Sequence, residues 1–212
     1  MNTLPFRNVL VLAPHADDGE FGCGGTMARL AEAGIEVTYA AFTTAAKSVP
    51  KEFPSDVLSH EVRAATTVLG IDEAHLRVYD FEVRTFPTVR QEILEQLIVL
   101  GSEVRPDCVM MPALVDIHQD HKTIAEEGLR AFKRTTVLAY EIPWNNLNFS
   151  HQAYVRLENR HVEKKVAALA CYKSQQGRNY IQENYIRNVA FTRGVDVGCD
   201  YAEVFEVYRW LV

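Results

Sequence analysis

The chain has 212 residues, 48% of them hydrophobic, and a formal net charge of −6. That length suits one sizeable α/β domain, and the composition is that of a globular protein without a disordered stretch. The negative charge argues against a nucleic-acid partner, and no apolar run reaches the roughly 18–20 residues that a membrane helix needs.

The opening MNTLPFRNVLVLAPHADD has no basic segment followed by a long apolar core, so no secretory signal is expected. Asn8–Ala13 reads as a continuous apolar strand of a sheet covered on both faces. A polar, glycine-rich turn is expected next, then a helix over Thr26–Ala33 stopped by Gly34. Glu36–Thr43 reads as a strand. Ser55 or Asp56 caps a helix that runs to Leu69, with Gly70 as its stop. A short strand is expected near Leu76–Tyr79. Thr88–Leu100 carries Ile93, Leu97 and Leu100 at helical spacing. Cys108–Met111 is a buried strand ended by Pro112, followed by a helix near Lys122–Phe132 and a strand over Thr136–Tyr140. Alternation of this kind predicts a mostly parallel sheet with helices on both sides. In the last third, His161–Tyr172 reads as a helix and Phe205–Val212 as a late strand. No linker, repeat or low-complexity segment divides the chain, so a single domain is expected. Cys23, Cys108, Cys171 and Cys199 are widely spaced and form no C-x-x-C pair. They read as reduced, small buried side chains in a cytoplasmic protein.

Two segments carry the chemistry, each directly after an expected strand, where open α/β sheets bind ligands. The first runs from Pro14 to Gly25, PHADDGEFGCGG, with one imidazole, three carboxylates and four glycines. Histidine and aspartate together suit a borderline metal such as zinc. Adjacent carboxylates can divide the labour, one binding metal and the other handling protons. The glycines Gly22, Gly24 and Gly25 ahead of a helix allow two other readings. One is a phosphate cradle, although the full G-x-G-x-x-G pattern is absent and three acids would repel the anion. The other is a turn of tight geometry. The second segment runs from Asp116 to His121, DIHQDH. Its two histidines, three apart, share one side of a helical turn, so one can bind metal while the other faces a substrate.

These two motifs, PHADDGEFGCGG and HQDH in the H-x-D-D-x-E-x-G form, resemble the signatures of the LmbE-like (PIG-L) deacetylases. The resemblance spans the chain in order and spacing. It implies a Rossmann-like α/β fold, a zinc ion, and removal of N-acetyl groups from small glucosamine-containing substrates. On that likeness His15, Asp18 and His121 match the metal ligands, Asp17 the general base, and His118 the group that stabilises the oxyanion and protonates the leaving amine. Asp120 matches the acid that positions or tunes His118, which it could hold as a charged donor. In the mechanism this implies, the metal polarises the acyl oxygen and acidifies a water whose proton Asp17 takes. A two-histidine, one-carboxylate site also suits iron(II). Two departures concern specificity: SHEVRAATTVLG lacks an arginine just before its glutamate, and Glu141–Asn146 ties to no defined substrate.

Four further residues are expected to touch substrate: Glu20 in the first motif, Arg84 after the third strand, and Trp144 and Asn145 after the fifth. Tyr172–Gln176 form either a pocket rim or a subunit contact of a homo-oligomer. Two other functions compete: an amidase for a thiol conjugate of a glucosamine compound, and a non-catalytic nucleotide- or metal-binding module. Neither Asp17 nor His118 is needed merely to hold an ion, which weighs against the module.

Overall fold

The structure is a computed structural model that describes residues 5–211. Its centre is β1, Asn8–His15, whose residues alternate between two cores. Val9, Val11 and Ala13 enter one, Leu10 and Leu12 the other, and all are fully buried. Burial on both faces is why this strand is a continuous apolar run and not an alternating one. β2 (Glu36–Thr43), β3 (Leu76–Val78), β4 (Cys108–Pro112) and β5 (Thr136–Tyr140) join it in parallel. β7 (Tyr201–Arg209) adds antiparallel to β5, and β6 (Ala153–Leu157) antiparallel to β7. The order is β3-β2-β1-β4-β5-β7-β6.

α1 (Asp18–Glu32), α2 (Val57–Leu69) and α5 (Asn159–Ala170) cover one face, and α3 (Arg90–Val104) and α4 (Gln119–Ala131) the other. α6 (Glu183–Asp196) adds Ile186 and Ala190 to the first core. Among the described residues no helix is long and apolar enough to cross a membrane. The four cysteines are free thiols; Cys23 and Cys108 are buried, whereas Cys171 and Cys199 are only partly so.

The glycine-rich stretch after β1 is not a turn: helix begins at Asp18 and runs through it. Its glycines serve close packing. A methyl group at Gly19 would lie 2.5 Å from the Tyr39 ring, and one at Gly22 would overlap the ring of Tyr140. The helix is interrupted at Cys23, where φ is −143° and ψ is 28°. The break separates the Phe21 carbonyl from the Gly25 N–H, which an unbroken helix would pair. One buried ion pair supplies both missing partners. Lys165 Nζ donates to Phe21 O at 2.6 Å and to Glu203 Oε1 at 2.6 Å. Glu203 accepts from the N–H groups of Gly25 and Thr26 at 3.0 and 2.6 Å. The helix end that sequence offered as a phosphate cradle therefore already holds an anion, the chain's own Glu203.

Glu203→Ala would strand the Lys165 ammonium and two backbone donors, and is expected to cost about 3–5 kcal/mol in urea unfolding. Glu203→Leu combined with Lys165→Met should recover only the charge part, leaving the backbone groups orphaned. A single variant that loses under about 1 kcal/mol would contradict this account of the break.

The remaining differences concern boundaries and the last third. α3 starts at Arg90, later than the expected Thr88, and continues to Val104, and α4 starts at Gln119. β6 and α6 have no counterpart in the expected elements. The late strand spans Tyr201–Arg209; its expected end, Val212, lies outside the described residues.

Candidate active site

β1 and β4 are neighbours, but the chain leaves them toward opposite faces, into α1 and α4. A crevice opens where such connections diverge. His15 ends β1, Asp18 begins α1, and His118 and His121 lie at the start of α4, so both motifs meet in it. His15 Nδ1 lies 2.9 Å from Asp18 Oδ2 and 3.2 Å from His121 Nε2, which in turn lies 3.1 Å from Asp18 Oδ2. Donors about 2.1 Å from a divalent ion sit roughly 3.0–3.4 Å apart, so this triangle fits one.

Each histidine of the triangle is braced through its other nitrogen. Asp120 Oδ2 lies 3.1 Å from His15 Nε2, and Asp116 Oδ2 lies 2.8 Å from His121 Nδ1. Carboxylates in this position fix the ring and raise its basicity as a ligand. The rings of His15, His118 and His121 also offer nitrogens within 4.8 Å of one another. The tighter triangle through Asp18 is the better ligand set, and it leaves His118 beside it.

The charges follow. Burial works to lower the pKa of His15, but the Asp18 charge and the ring's hydrogen bonds to Asp120 and Asp18 outweigh it and raise it to about 9. His121 is raised to about 10: burial again opposes, and Asp18 and Asp116 prevail. Burial also works against ionisation of Asp18, yet His121 and His15 hold its carboxyl well below the usual range. Asp17 is raised to about 6, by burial first and by the Asp18 charge second. The carboxylates around both imidazoles thus favour their protonated forms in the metal-free protein at neutral pH. A metal needs their nitrogens bare, so its uptake at pH 7 should release about two protons per chain, fewer as pH rises toward 10. Calorimetry in buffers of different ionisation heat reads this number; metal binding without proton release at pH 7 would contradict the ligand set.

His118 occupies the N-cap position of α4, and its Nδ1 accepts from the Asp120 N–H at 3.2 Å. That bond leaves Nε2 as the protonated nitrogen of the neutral ring. Burial lowers its pKa, with His121 and His15 adding to the effect. His118 is therefore a neutral N–H donor, not the charged one expected from the motif. The Asp120 carboxylate makes no hydrogen bond to His118, although its charge works to raise the His118 pKa; it braces His15 and accepts from the N–H of Arg84 at 2.6 Å and of Phe86 at 3.3 Å. Arg84 makes its bond from a left-handed backbone, φ 69°, a strain that tends to accompany functional sites.

The crevice holds a cavity of about 180 Å³. This is below the roughly 300–1,000 Å³ of drug-sized ligand sites and suits one small ring. Asp17, Asp18, His15, His118 and His121 line it together with Arg84, Trp144 and Asn145. Glu20 does not. It is fully buried and bonded to Tyr39 and Tyr172, so it touches no substrate. Tyr172 is fully buried within the chain, whereas Gln175 reaches the cavity.

Sequence reasoning missed Asp116, although it stands two residues before His118 in the same motif. It also missed Phe21, Arg178 and Tyr180. Trp144 stacks on Tyr180 at 4.2 Å and 13°, with Phe21 edge-on to both. Arg178 donates to the Tyr180 hydroxyl at 2.5 Å. No motif marks residues 173–182; only the fold brings that segment over the crevice.

Comparison with known proteins gives the same frame. The family model described as "PIG-L: GlcNAc-PI de-N-acetylase" matches residues 10–132, more than half of the chain and both motifs. A diacetylchitobiose deacetylase of Thermococcus kodakarensis is 26% identical over 93% of this chain and 81% of its own. The solved N,N'-diacetylchitobiose deacetylase of Pyrococcus horikoshii superposes with a TM-score of 0.79 at 20% identity, covering 96% of this chain and 84% of its own. GalB, the 4-carboxy-2-hydroxymuconate hydratase of Pseudomonas putida, superposes with a TM-score of 0.79 at 21% identity, over 96% of this chain and 97% of its own. At those identities the two structures establish the shared fold and nothing of the reaction.

Proposed function

Because the chain belongs to the PIG-L (GlcNAc-PI de-N-acetylase) family, we propose that it is a hydrolase that removes the N-acetyl group from a small amino sugar or its conjugate. The observation that carries the reading is the placement of Asp17 and His118 in one cavity with the His15–Asp18–His121 triangle. The donor set fits zinc, and also iron(II). Such an ion, when bound, supplies Lewis acidity for the acyl oxygen and lowers the pKa of water.

The chain's own residues do the rest. Asp17 sits at the N-cap position of α1 but makes no side-chain capping bond, which leaves its carboxylate for the cavity. With a pKa near 6 it is ionised at neutral pH and basic enough to take a proton from the attacking water. His118 donates from Nε2 to the oxyanion as the carbonyl carbon becomes tetrahedral. Its Nδ1 is engaged by the backbone, so it has no ready route for regaining a proton. Asp17, now protonated, therefore returns that proton to the amine as the C–N bond breaks. Acetate and a free amine leave, and no acyl-enzyme forms.

Trp144, Phe21 and Tyr180 give the sugar an apolar wall, while Arg178, Gln175 and Asn145 offer hydrogen-bond donors. The whole chain serves this one site as a single domain. The same residues would serve a thiol conjugate of a glucosamine compound, so the test is a panel of N-acyl sugars, free, phosphate-linked and thiol-conjugated, read by amine release. At least one N-acetyl amino sugar should be hydrolysed, and Trp144→Ala should raise its KM more than it lowers kcat. No amine from any sugar, with amine from acetylated peptides instead, would overturn the reading.

A further inference from the structure

We propose that Tyr39 and Tyr172, braced by Glu20, are positioning residues that hold the Ala16 carbonyl and thereby set the aim of the Asp17 carboxylate. The inference rests on the preceding reading of Asp17 as the base.

Asp17 lies between the end of β1 and the first residue of α1, its side chain caps nothing, and its own carbonyl simply accepts the helical bond from Phe21 at 3.1 Å. The peptide group ahead of it is held differently. The Tyr39 hydroxyl, from β2, lies 3.2 Å from Ala16 O, and the Tyr172 hydroxyl, just past α5, hydrogen-bonds the same oxygen closely. Both hydroxyls also meet Glu20, Tyr172 at 2.8 Å on Oε1 and Tyr39 on Oε2. All three side chains are fully buried.

Each hydroxyl has one proton to donate: the close Tyr172 contact places it on Ala16 O, while Tyr39 donates to Glu20 and confines the same carbonyl from 3.2 Å. A peptide group is planar, so holding its oxygen in this way fixes the plane that carries the nitrogen of Asp17 and leads into its Cα. Simple satisfaction of buried hydroxyls does not require this arrangement. The two oxygens of Glu20 could serve both tyrosines without either approaching Ala16. Gly19 fits the same purpose: a methyl group there would lie 2.9 Å from the Tyr39 hydroxyl and force it off the carbonyl. Tyr172 also begins the segment that brings Gln175, Arg178 and Tyr180 to the cavity. One knot thus sets both the base and the wall that faces it.

The test compares metal-loaded Tyr39→Phe, Tyr172→Phe and Glu20→Gln with the wild type. A misplacement of about 1 Å in a catalytic group can cost up to about 100-fold. Each Phe variant should therefore lose about 10- to 100-fold in kcat, with KM and metal content unchanged. Glu20→Gln retains an acceptor and a donor for the two hydroxyls and should stay within about three-fold of wild type. Tyr140→Phe removes an equally buried hydroxyl, one that donates to Leu12 O at 2.8 Å, and should lower Tm while leaving kcat alone. Independently of any substrate, amide hydrogen exchange in the peptide spanning residues 14–21 should quicken in the Phe variants and not in Tyr140→Phe. Wild-type kcat in both Phe variants, a loss that tracks metal content, or unchanged exchange would overturn the proposal. A wild type inert toward every acyl sugar would sink the functional reading instead, and exchange alone would then decide the positioning.

Discussion

Asp17→Asn is expected to keep its fold and one divalent ion per chain while losing about 10²- to 10⁴-fold in kcat, the usual range for a positioned acid–base group. The ligand atoms closing to within 2.9–3.2 Å belong to His15, Asp18 and His121, and Asp17 is not among them. An amide in its place cannot take the water's proton, nor return it to the amine. The comparison to make is activity against metal content in the same preparation. A variant near the wild-type rate would remove Asp17 from the mechanism, and activity falling only in proportion to metal would make it a ligand. The sign of the pH dependence follows from the raised value near 6. The base works only when ionised, so kcat/KM should fall on the acid side as pH drops through the pKa that the loaded site gives Asp17. The cation's charge should move that limb below 6.

Asp116→Ala is expected to weaken metal binding by about 10- to 100-fold, the cost of losing a carboxylate behind a metal-binding histidine. Asp116 holds two things at once. Its Oδ2 braces His121 Nδ1 at 2.8 Å, and its Oδ1 accepts from the His118 N–H at 2.8 Å, which sets the turn into α4. It is itself buried. Competition with a chromophoric chelator reads the affinity. At saturating metal kcat should recover most of its value, because Asp116 touches neither the base nor the oxyanion donor's Nε2. Unchanged affinity would mean that His121 needs no brace.

The parallel strands were the legible part of the fold. Leu10, Leu12, Val9 and Val11 are all apolar because both faces of β1 are covered, and a run of that kind needs no long-range information to be read. The start of α1 was misread for a physical reason. Glycine marks a turn when it supplies backbone freedom and marks close packing when a ring must approach, and sequence alone gives both the same letter. Only the positions of Tyr39 and Tyr140 show that Gly19 and Gly22 belong to the second kind. The centre of the site was readable because its residues lie within two short motifs at strand ends. Which carboxylate braces which histidine was not, since Asp120 reaches back across the crevice to His15 although its neighbour in sequence is His118. The wall was least readable. Arg178 and Tyr180 lie some sixty residues beyond the second motif and join the site only through the packing of α5 and the turns after it, whereas Gln175 fell in the segment that the sequence offered as a rim. Their chemistry bears on which acyl sugar fits, and there the sequence departs from a recognisable pattern.

The most direct test of the account is a metal titration of the stripped protein, followed by acetate release from the best N-acetyl sugar of the panel. One ion per chain should bring activity from background to a plateau, with no further gain at a second equivalent, and a chelator should return it to background. Acetate release that persists in chelated protein, or that needs no ion at His15, Asp18 and His121, would contradict the central claim.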